Sequence, residues 1–158
     1  MLIAVISDTH MTRPGPLLET AWDQYLSAAD VLLHCGDVTG FETWQYLCRH
    51  PAFHAVQGNC DYDAQLSAEL EPMLRLDLDG LHVGLTHGWG PRSQVPVKVA
   101  QAFGTGFHLV CYGHTHNPHF GRVEGVTLLN PGSLGEHGSL ALVEVSASRN
   151  LEVRFVAV

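Results

Sequence analysis

The sequence predicts an α/β fold in which two packed β-sheets carry helices on their outer faces. In the N-terminal half, short apolar runs alternate with stretches of helical periodicity, which favours a parallel sheet because parallel neighbours need a crossover connection. In the C-terminal half, apolar runs flank tight-turn residues, which favours antiparallel pairs. The chain is also too short for the roughly 250 residues typical of a TIM barrel.

The N-terminal half is predicted to run β-α-β-α-β. Its three strands are the apolar runs Leu2–Ile6, Val31–Cys35 and Ala52–Val56. Helical periodicity over Leu17–Ala28 and Phe41–His50 places one helix in each gap. We therefore expect three parallel strands whose carboxyl ends lie at one edge of a sheet.

The C-terminal half is predicted to consist of strand pairs and one helix. The strands are Leu74–Asp79, Leu81–Thr86, Phe107–Tyr112, Gly121–Val123, Val126–Leu129, Ser139–Val145 and Leu151–Val156. Turns at Asp79-Gly80, at Glu124-Gly125 and around Arg149 join three of the pairs as hairpins. The helix is predicted over Gln94–Phe103.

Length and composition predict a single domain spanning residues 1–158, with 46% hydrophobic and 15% charged residues. The apolar start lacks a basic leader, and no stretch approaches the roughly 20 apolar residues of a membrane helix, so we expect a cytoplasmic protein without membrane contact. A net charge of -8 argues against stable nucleic-acid binding. The four cysteines form no close pair and are expected to be free thiols, while a homo-oligomer is left open.

Five predicted strands end in a polar motif. The motifs are Asp8-Thr9-His10, Gly36-Asp37, Gly58-Asn59-Cys60-Asp61, Thr86-His87-Gly88 and Gly113-His114-Thr115-His116. Each residue alone has a structural explanation, such as a helix cap or an Asx turn. Together they predict a site, because ligands of open α/β sheets bind beyond the carboxyl ends of strands. In the first and last motifs, spacing by two residues points both side chains the same way in extended backbone.

Seven of these side chains predict a centre of two divalent cations. The candidate ligands are Asp8, His10, Asp37, Asn59, His87, His114 and His116. Imidazole and carboxylate suit Mn, Ni, Fe, Co or Zn, with Mn as the first expectation, and no thiol is expected to join them. Seven ligands overfill one ion unless a carboxylate bridges a pair, and Asp37 is the natural bridge. Two cations leave a surplus of positive charge that attracts phosphate.

The ordered motifs resemble the calcineurin-like metallophosphoesterase superfamily, whose pattern is Asp-x-His, Gly-Asp, Gly-Asn, a later His and Gly-His-x-His. The likeness is greatest to the small, single-domain microbial phosphodiesterase branch, related to the retromer-subunit type, and Asn130-Pro131-Gly132-Ser133 extends it. The resemblance implies a four-layer α-β-β-α sandwich of two mixed β-sheets flanked by helices. It also assigns the two ligand sets. The first metal would be bound by Asp8, His10, Asp37 and His116, and the second by Asp37, Asn59, His87 and His114.

One position departs from the superfamily pattern. Many members carry a histidine after Gly-Asn that is proposed to protonate the leaving oxygen, whereas this chain has Cys60. A general acid typically accelerates hydrolysis about 10²- to 10⁴-fold, so its absence predicts slower turnover or a need for better leaving groups. The expected reaction is therefore hydrolysis of small phosphodiesters, with a hydroxide that bridges the two metals as the nucleophile. Asn59, Cys60 and Asp61 are the candidate catalytic residues: Asn59 would contact the phosphoryl group, and Asp61 would orient its loop, relay a proton or simply form a turn.

Two other functions stay open: a noncatalytic metal-binding interaction scaffold of the retromer-subunit type, and a phosphomonoesterase. His34 and His54 are expected to support the ligands or fill the core. Trp89, Pro91 and Arg92 are expected to form an ordinary loop, with a substrate cleft as the alternative.

Overall fold

The computed structural model describes residues 1–158, which form ten strands and five α-helices. In chain order they are β1 (Leu2–Ile6), α1 (Pro16–Ala21), β2 (Val31–His34), α2 (Phe41–Leu47), β3 (Phe53–Ala55), α3 (Ala64–Glu69), β4 (Met73–Leu78), β5 (Leu81–Thr86), α4 (Val95–Phe103), β6 (Leu109–Cys111), β7 (His119–Val123), β8 (Val126–Asn130), α5 (Leu134–His137), β9 (Ser139–Val145) and β10 (Leu151–Ala157). A π-helical segment, Trp22–Leu26, continues α1, and a 3₁₀ turn, Arg92–Gln94, precedes α4.

The strands form two five-stranded sheets. In the first the order is β10-β9-β1-β2-β3, with β1, β2 and β3 parallel, β9 antiparallel to β1, and β10 antiparallel to β9. In the second the order is β4-β5-β6-β8-β7, with a parallel centre of β5, β6 and β8 and an antiparallel strand at each edge. The predicted α/β fold with two mixed sheets is confirmed.

Alternation of buried side chains along β1 explains the four layers. Ile3 and Val5 point into a core that lies between the two sheets and also contains apolar side chains of β5, β6 and β8. Ala4 and Ile6 point the other way, onto α1, α2 and α5. A separate apolar cluster packs α4 against the outer face of the second sheet. Because β1 is buried on both faces, it reads as an unbroken apolar run.

The hairpin turns have the predicted geometry. Asp79 and Gly80 have φ of 53° and 79°, and Glu124 and Gly125 have φ of 50° and 78°. Two successive residues with positive φ match the right-handed twist of the strands they join. The four cysteines are free, as predicted. No helix combines the length and the apolar character needed to cross a bilayer.

The short helices α3 and α5 were not predicted. They contain six and four residues, too few for a helical repeat to be visible. Each is fixed by its N-cap instead: Asp63 Oδ1 accepts hydrogen bonds from two amides of the first turn, and Ser133 Oγ accepts one from Glu136 N. The predicted helix over Phe41–His50 ends at Leu47.

Candidate metal centre

The loops that follow β1, β2, β3, β5 and β6 meet at one edge of the two sheets, as predicted. Backbone hydrogen bonds join them in pairs: Asp8 N donates to Gly36 O at 3.0 Å, and Gly113 N donates to His87 O at 3.1 Å. A link between the sheets is made by His114 N, which donates to Asp8 Oδ2 at 3.2 Å. The seven predicted ligands therefore lie around one site.

The backbone that aims these side chains differs from the prediction. Asp8 and His10 have φ of 51° and 48°, and His114 and His116 have φ of 68° and 61°, so the expected extended conformation is wrong. Asp37 is also left-handed, with φ of 58°. Such residues cost of order 1–3 kcal/mol each and persist only where surrounding contacts fix them. Both side chains of each motif still reach the site, although the backbone that carries them is left-handed instead of extended.

The first group of donor atoms surrounds Asp8 Oδ1. His116 Nε2 lies 3.2 Å from this oxygen and His10 Nε2 lies 3.8 Å from it. His10 Nε2 is also 3.7 Å from Asp37 Oδ2. The spacing brings Asp8, His10 and His116 within reach of one ion.

The second group is tighter. His87 Nε2 lies 3.1 Å from Asn59 Oδ1 and 3.3 Å from Asp37 Oδ2. His114 Nδ1 lies 2.8 Å from the same Asn59 oxygen and 3.3 Å from His87 Nε2. Four donor atoms from four loops therefore converge on a second point.

Asp37 lies between the two groups. Its Oδ2 faces both His10 and His87, while its Oδ1 accepts a hydrogen bond from Cys60 N at 2.7 Å. One carboxylate oxygen is thus held by the protein and the other is shared by both groups. This is the arrangement that a bridging ligand requires.

The unpaired oxygen of Asp8 shows that the residues fit a cation. Asp8 is fully buried, and its Oδ2 accepts a 2.6 Å hydrogen bond from the Ser7 hydroxyl, yet its Oδ1 accepts none. An unsatisfied buried polar atom costs about 1–3 kcal/mol, and more when it is charged. A divalent cation at this point removes that cost, and carboxylate oxygen with imidazole nitrogen is the donor set that transition metals take.

The charges of the buried pair support each other. Burial alone would raise the pKa of Asp37, but the hydrogen bond and charge of His87 and the amide of Cys60 lower it to about 2. Burial alone would lower the pKa of His87, but Asp37 and Asp8 raise it. The metal-free protein therefore holds an Asp37 carboxylate against a His87 ring that gains protons readily.

Asp61 and His34 support the site without facing it. Asp61 accepts hydrogen bonds from the backbone amides of Asp37 at 3.0 Å, Gly58 at 2.6 Å and Thr39 at 2.7 Å, so its carboxylate joins the loops after β2 and β3. His34 is buried, and burial, followed by the charge of His87, lowers its pKa to about 3. The neutral ring accepts from Gly36 N through Nδ1 and donates to Thr9 Oγ1 through Nε2.

Cys60 lies beside the candidate ligands. Its sulfur falls within 4.8 Å of donor atoms of His10 and Asp37. The Asn59 amide nitrogen donates to this sulfur at 3.3 Å. Burial, followed by the charge of Asp37, raises the pKa of the thiol to about 11, so it is neutral at pH 7.

Sequence reasoning missed Glu136. Its Oε2 lies 2.5 Å from His116 Nδ1, and this hydrogen bond lowers the pKa of the Glu136 carboxyl. A local signal was present, since Ser133-Leu134-Gly135-Glu136 matches the capping-box pattern Ser-x-x-Glu. The pattern marks a helix start, and nothing in it shows that His116 lies opposite.

The sequence and the fold are similar to those of known proteins. The sequence profile described as the calcineurin-like phosphoesterase superfamily domain matches residues 1–148. A probable metallophosphoesterase of Methanocaldococcus jannaschii is 34% identical over 139 residues, which cover 84% of this chain and 68% of that protein. A second protein of the same organism, named as a phosphodiesterase, is 28% identical over 84% of this chain and 83% of its own length. In the fold, wild-type Vps29 of Entamoeba histolytica, solved with Zn²⁺, matches with a TM-score of 0.69 and 23% identity, over 99% of this chain and 98% of that one.

Proposed function

This chain belongs to the calcineurin-like phosphoesterase superfamily, and from that premise we propose that it hydrolyses phosphate diesters at a centre of two divalent cations. The observation that carries the proposal is the buried Asp8 Oδ1, which accepts no hydrogen bond although imidazole nitrogens of His116 and His10 surround it. A carboxylate oxygen in that position without a positive partner is unfavourable.

The two proposed ligand sets follow the two groups of donor atoms. The first cation would be held by Asp8, His10, Asp37 and His116, and the second by Asp37, Asn59, His87 and His114. We propose Mn²⁺ for both, with Ni²⁺, Fe²⁺, Co²⁺ and Zn²⁺ as metals that the same nitrogen and oxygen donors accept. When bound, the cations would activate water and stabilise the charge that develops on the phosphoryl oxygens.

Asn59 is suited to contact the substrate. Its Oδ1 faces the nitrogens of His87 and His114, so its amide nitrogen points to the opposite side, where its partner is the Cys60 sulfur. Loss of that weak sulfur bond costs little, so the amide can donate to a phosphoryl oxygen instead. In the proposed reaction Asn59 thus serves both a cation and the ester.

Cys60 supports diesters over monoesters with poor leaving groups. A thiol whose pKa is about 11 is a weak general acid, and it stands where many superfamily members have a histidine. Hydrolysis should then favour esters whose leaving group departs without a proton. The similarity to a protein named as a phosphodiesterase agrees with this preference.

A noncatalytic interaction scaffold is the second candidate, and the fold similarity to Vps29 supports it. The proposal of an enzyme is favoured because all seven ligand positions carry metal-binding side chains and because Asn59 and Cys60 lie beside them. A phosphomonoesterase remains the third candidate.

The test is metal binding followed by hydrolysis. Protein stripped with a chelator should take up two Mn²⁺ per chain in calorimetry, and the loaded protein should hydrolyse bis(4-nitrophenyl) phosphate faster than 4-nitrophenyl phosphate. Binding without hydrolysis of either ester would favour the scaffold, and faster hydrolysis of the monoester would favour the phosphomonoesterase. Protein that takes up no cation would refute the proposed centre.

A further inference from the structure

We propose that Glu136 is a positioning residue for the metal centre, whose carboxylate holds the His116 ring with Nε2 towards Asp8. The inference rests on the proposed function, because it assigns His116 as a ligand. Its direct basis is that both nitrogens of the His116 ring face a carboxylate oxygen. Nδ1 lies 2.5 Å from Glu136 Oε2, and Nε2 lies 3.2 Å from Asp8 Oδ1.

The two contacts fix the tautomer. A carboxylate can only accept, so the proton of the neutral ring lies on Nδ1 and is donated to Glu136. Nε2 then presents a lone pair to Asp8 Oδ1, which accepts no hydrogen bond. Two lone pairs 3.2 Å apart repel each other, and a cation between them turns both into ligands.

Two of the other three ligand histidines show the same arrangement with a different partner. His87 donates through Nδ1 to Cys35 O at 2.7 Å, and His114 donates through Nε2 to Gly90 O at 2.9 Å. In each ring the nitrogen that faces away from the site is held by an oxygen. Among His87, His114 and His116, only His116 is held by a charged side chain.

The backbone of Glu136 is fixed to the loop that supplies Asp8. Ser133 Oγ donates to Asp8 O at 2.9 Å, and Gly135 N donates to the same oxygen at 3.1 Å. Leu134 N donates to Ser7 O at 3.0 Å. A side chain at Gly135 would overlap the backbone of Thr9, so α5 requires glycine for this close approach. The backbone contacts of α5 therefore fix the position of Glu136 relative to Asp8.

Only one of the two hydrogen bonds of a capping box is formed at the start of α5. Ser133 Oγ accepts from Glu136 N at 3.0 Å, as in the usual box. The Glu136 carboxylate does not complete it by returning to the N-cap, since Oε2 contacts His116 instead. Because the Glu136 side chain is 58% exposed, solvent screens the pair and it adds little to folding, so its main effect falls on the His116 ring.

The experiment compares Glu136→Ala and Glu136→Gln with Glu152→Ala, which removes an exposed acid from β10. Mn²⁺ binding is measured by calorimetry and the His116 ring tautomer by ¹⁵N NMR of metal-free protein. Glu136→Ala should weaken one of the two sites by about 10- to 100-fold, the range for residues that support metal ligands, and mix the tautomers. Glu136→Gln keeps an accepting oxygen, so it should keep the tautomer and lose less affinity. Glu152→Ala should match the wild type.

Two results would overturn the role of Glu136 while leaving the two-cation centre intact: full affinity for both cations in Glu136→Ala, or an unchanged tautomer in that variant. A wild-type protein that binds no Mn²⁺ would overturn the proposed function first, and the role of Glu136 with it. Thermal unfolding of each variant separates a local effect from misfolding, and Glu136→Gln remains informative if the alanine variant fails to fold.

Discussion

The two halves of the proposed centre are held together differently. The donors around Asn59 and His87 lie 2.8–3.3 Å apart, and His87 is buried. Around Asp8 the separations to the histidine nitrogens reach 3.8 Å, and the His10 side chain is 34% exposed. Backbone carbonyls fix the rings of the second half, whereas a side-chain carboxylate fixes His116 in the first. The rings of the second half are therefore held by the backbone, whereas the His116 ring of the first depends on a side chain that a mutation can remove.

Removal of the shared ligand should break both halves at once. In Asp37→Ala we expect loss of both cations and a fall in diester hydrolysis of more than about 100-fold, beyond the range for residues that only support ligands. Calorimetry and the aryl diester assay measure the two effects, with Asp77→Ala on exposed β4 as the control. Full activity in Asp37→Ala would rule out a shared carboxylate.

Replacing one histidine in each half should show that the two halves contribute differently to the free energy of unfolding. In metal-free protein, His87→Ala should lower the free energy of unfolding by about 2–3 kcal/mol, because it opens a buried space and leaves Asp37 without its partner. His10→Ala should change it by less than about 0.5 kcal/mol, as expected for a partly exposed side chain. Urea denaturation compares them, and equal losses would remove the distinction between the two halves.

The buried pair in the second half should make the stability of metal-free protein depend on pH. Because the folded pKa of Asp37 is lowered to about 2, its contribution of up to about 2 kcal/mol is present above the unfolded pKa and disappears as pH falls through about 4 to 2. The folded pKa of His87 is raised, so its contribution is complete below its unfolded pKa and is lost as pH rises through the folded value. The free energy of unfolding, measured from pH 2 to 9, should fall at both the acid and the alkaline end. In Asp37→Asn the dependence on pH at the acid end should be weaker. An unchanged acid slope in that variant would contradict the assignment.

The smallest effect is expected beside the first half, at Cys60. Cys60→His restores a nitrogen acid near His10 and Asp37, so hydrolysis of esters with poor leaving groups should rise by about 10-fold, below the full range for a well-placed acid. Esters of nitrophenol should gain less. Cys48→His, at an exposed position on the end of α2, is the matched control. A rate on alkyl esters that does not change would contradict the account of a missing acid.

The positions of the ligands along the chain could be predicted from the sequence, but the backbone conformation that aims them could not. The places where Asp8, Asp37 and His87 stand follow from apolar runs that end in polar motifs, because parallel strands bring their carboxyl ends together. The positive φ at five of the ligand positions could not be foreseen, since contacts between distant loops impose it; these positions are Asp8, His10, Asp37, His114 and His116.

Support by side chains was the hardest feature to predict. Asp61 was expected to orient its loop, relay a proton or simply form a turn, and the hydrogen bonds that it accepts from three backbone amides fit the first of these roles. The contact of Glu136 was not predicted, because its partner His116 lies 20 residues away, on the other side of strands β7 and β8. Short helices such as α3 and α5 are set by a cap and a few contacts, which periodicity does not report.

The hydrogen bond from Ser133 to Asp8 joins residues 125 apart in sequence, and the one from His114 to Asp8 joins residues 106 apart. Contacts of such separation close late in folding, after the loops between them have lost their entropy. The unfolded chain therefore holds fragments of each ligand set, but no complete one. Cations would bind only to the folded site, and by doing so they would raise the free energy of unfolding.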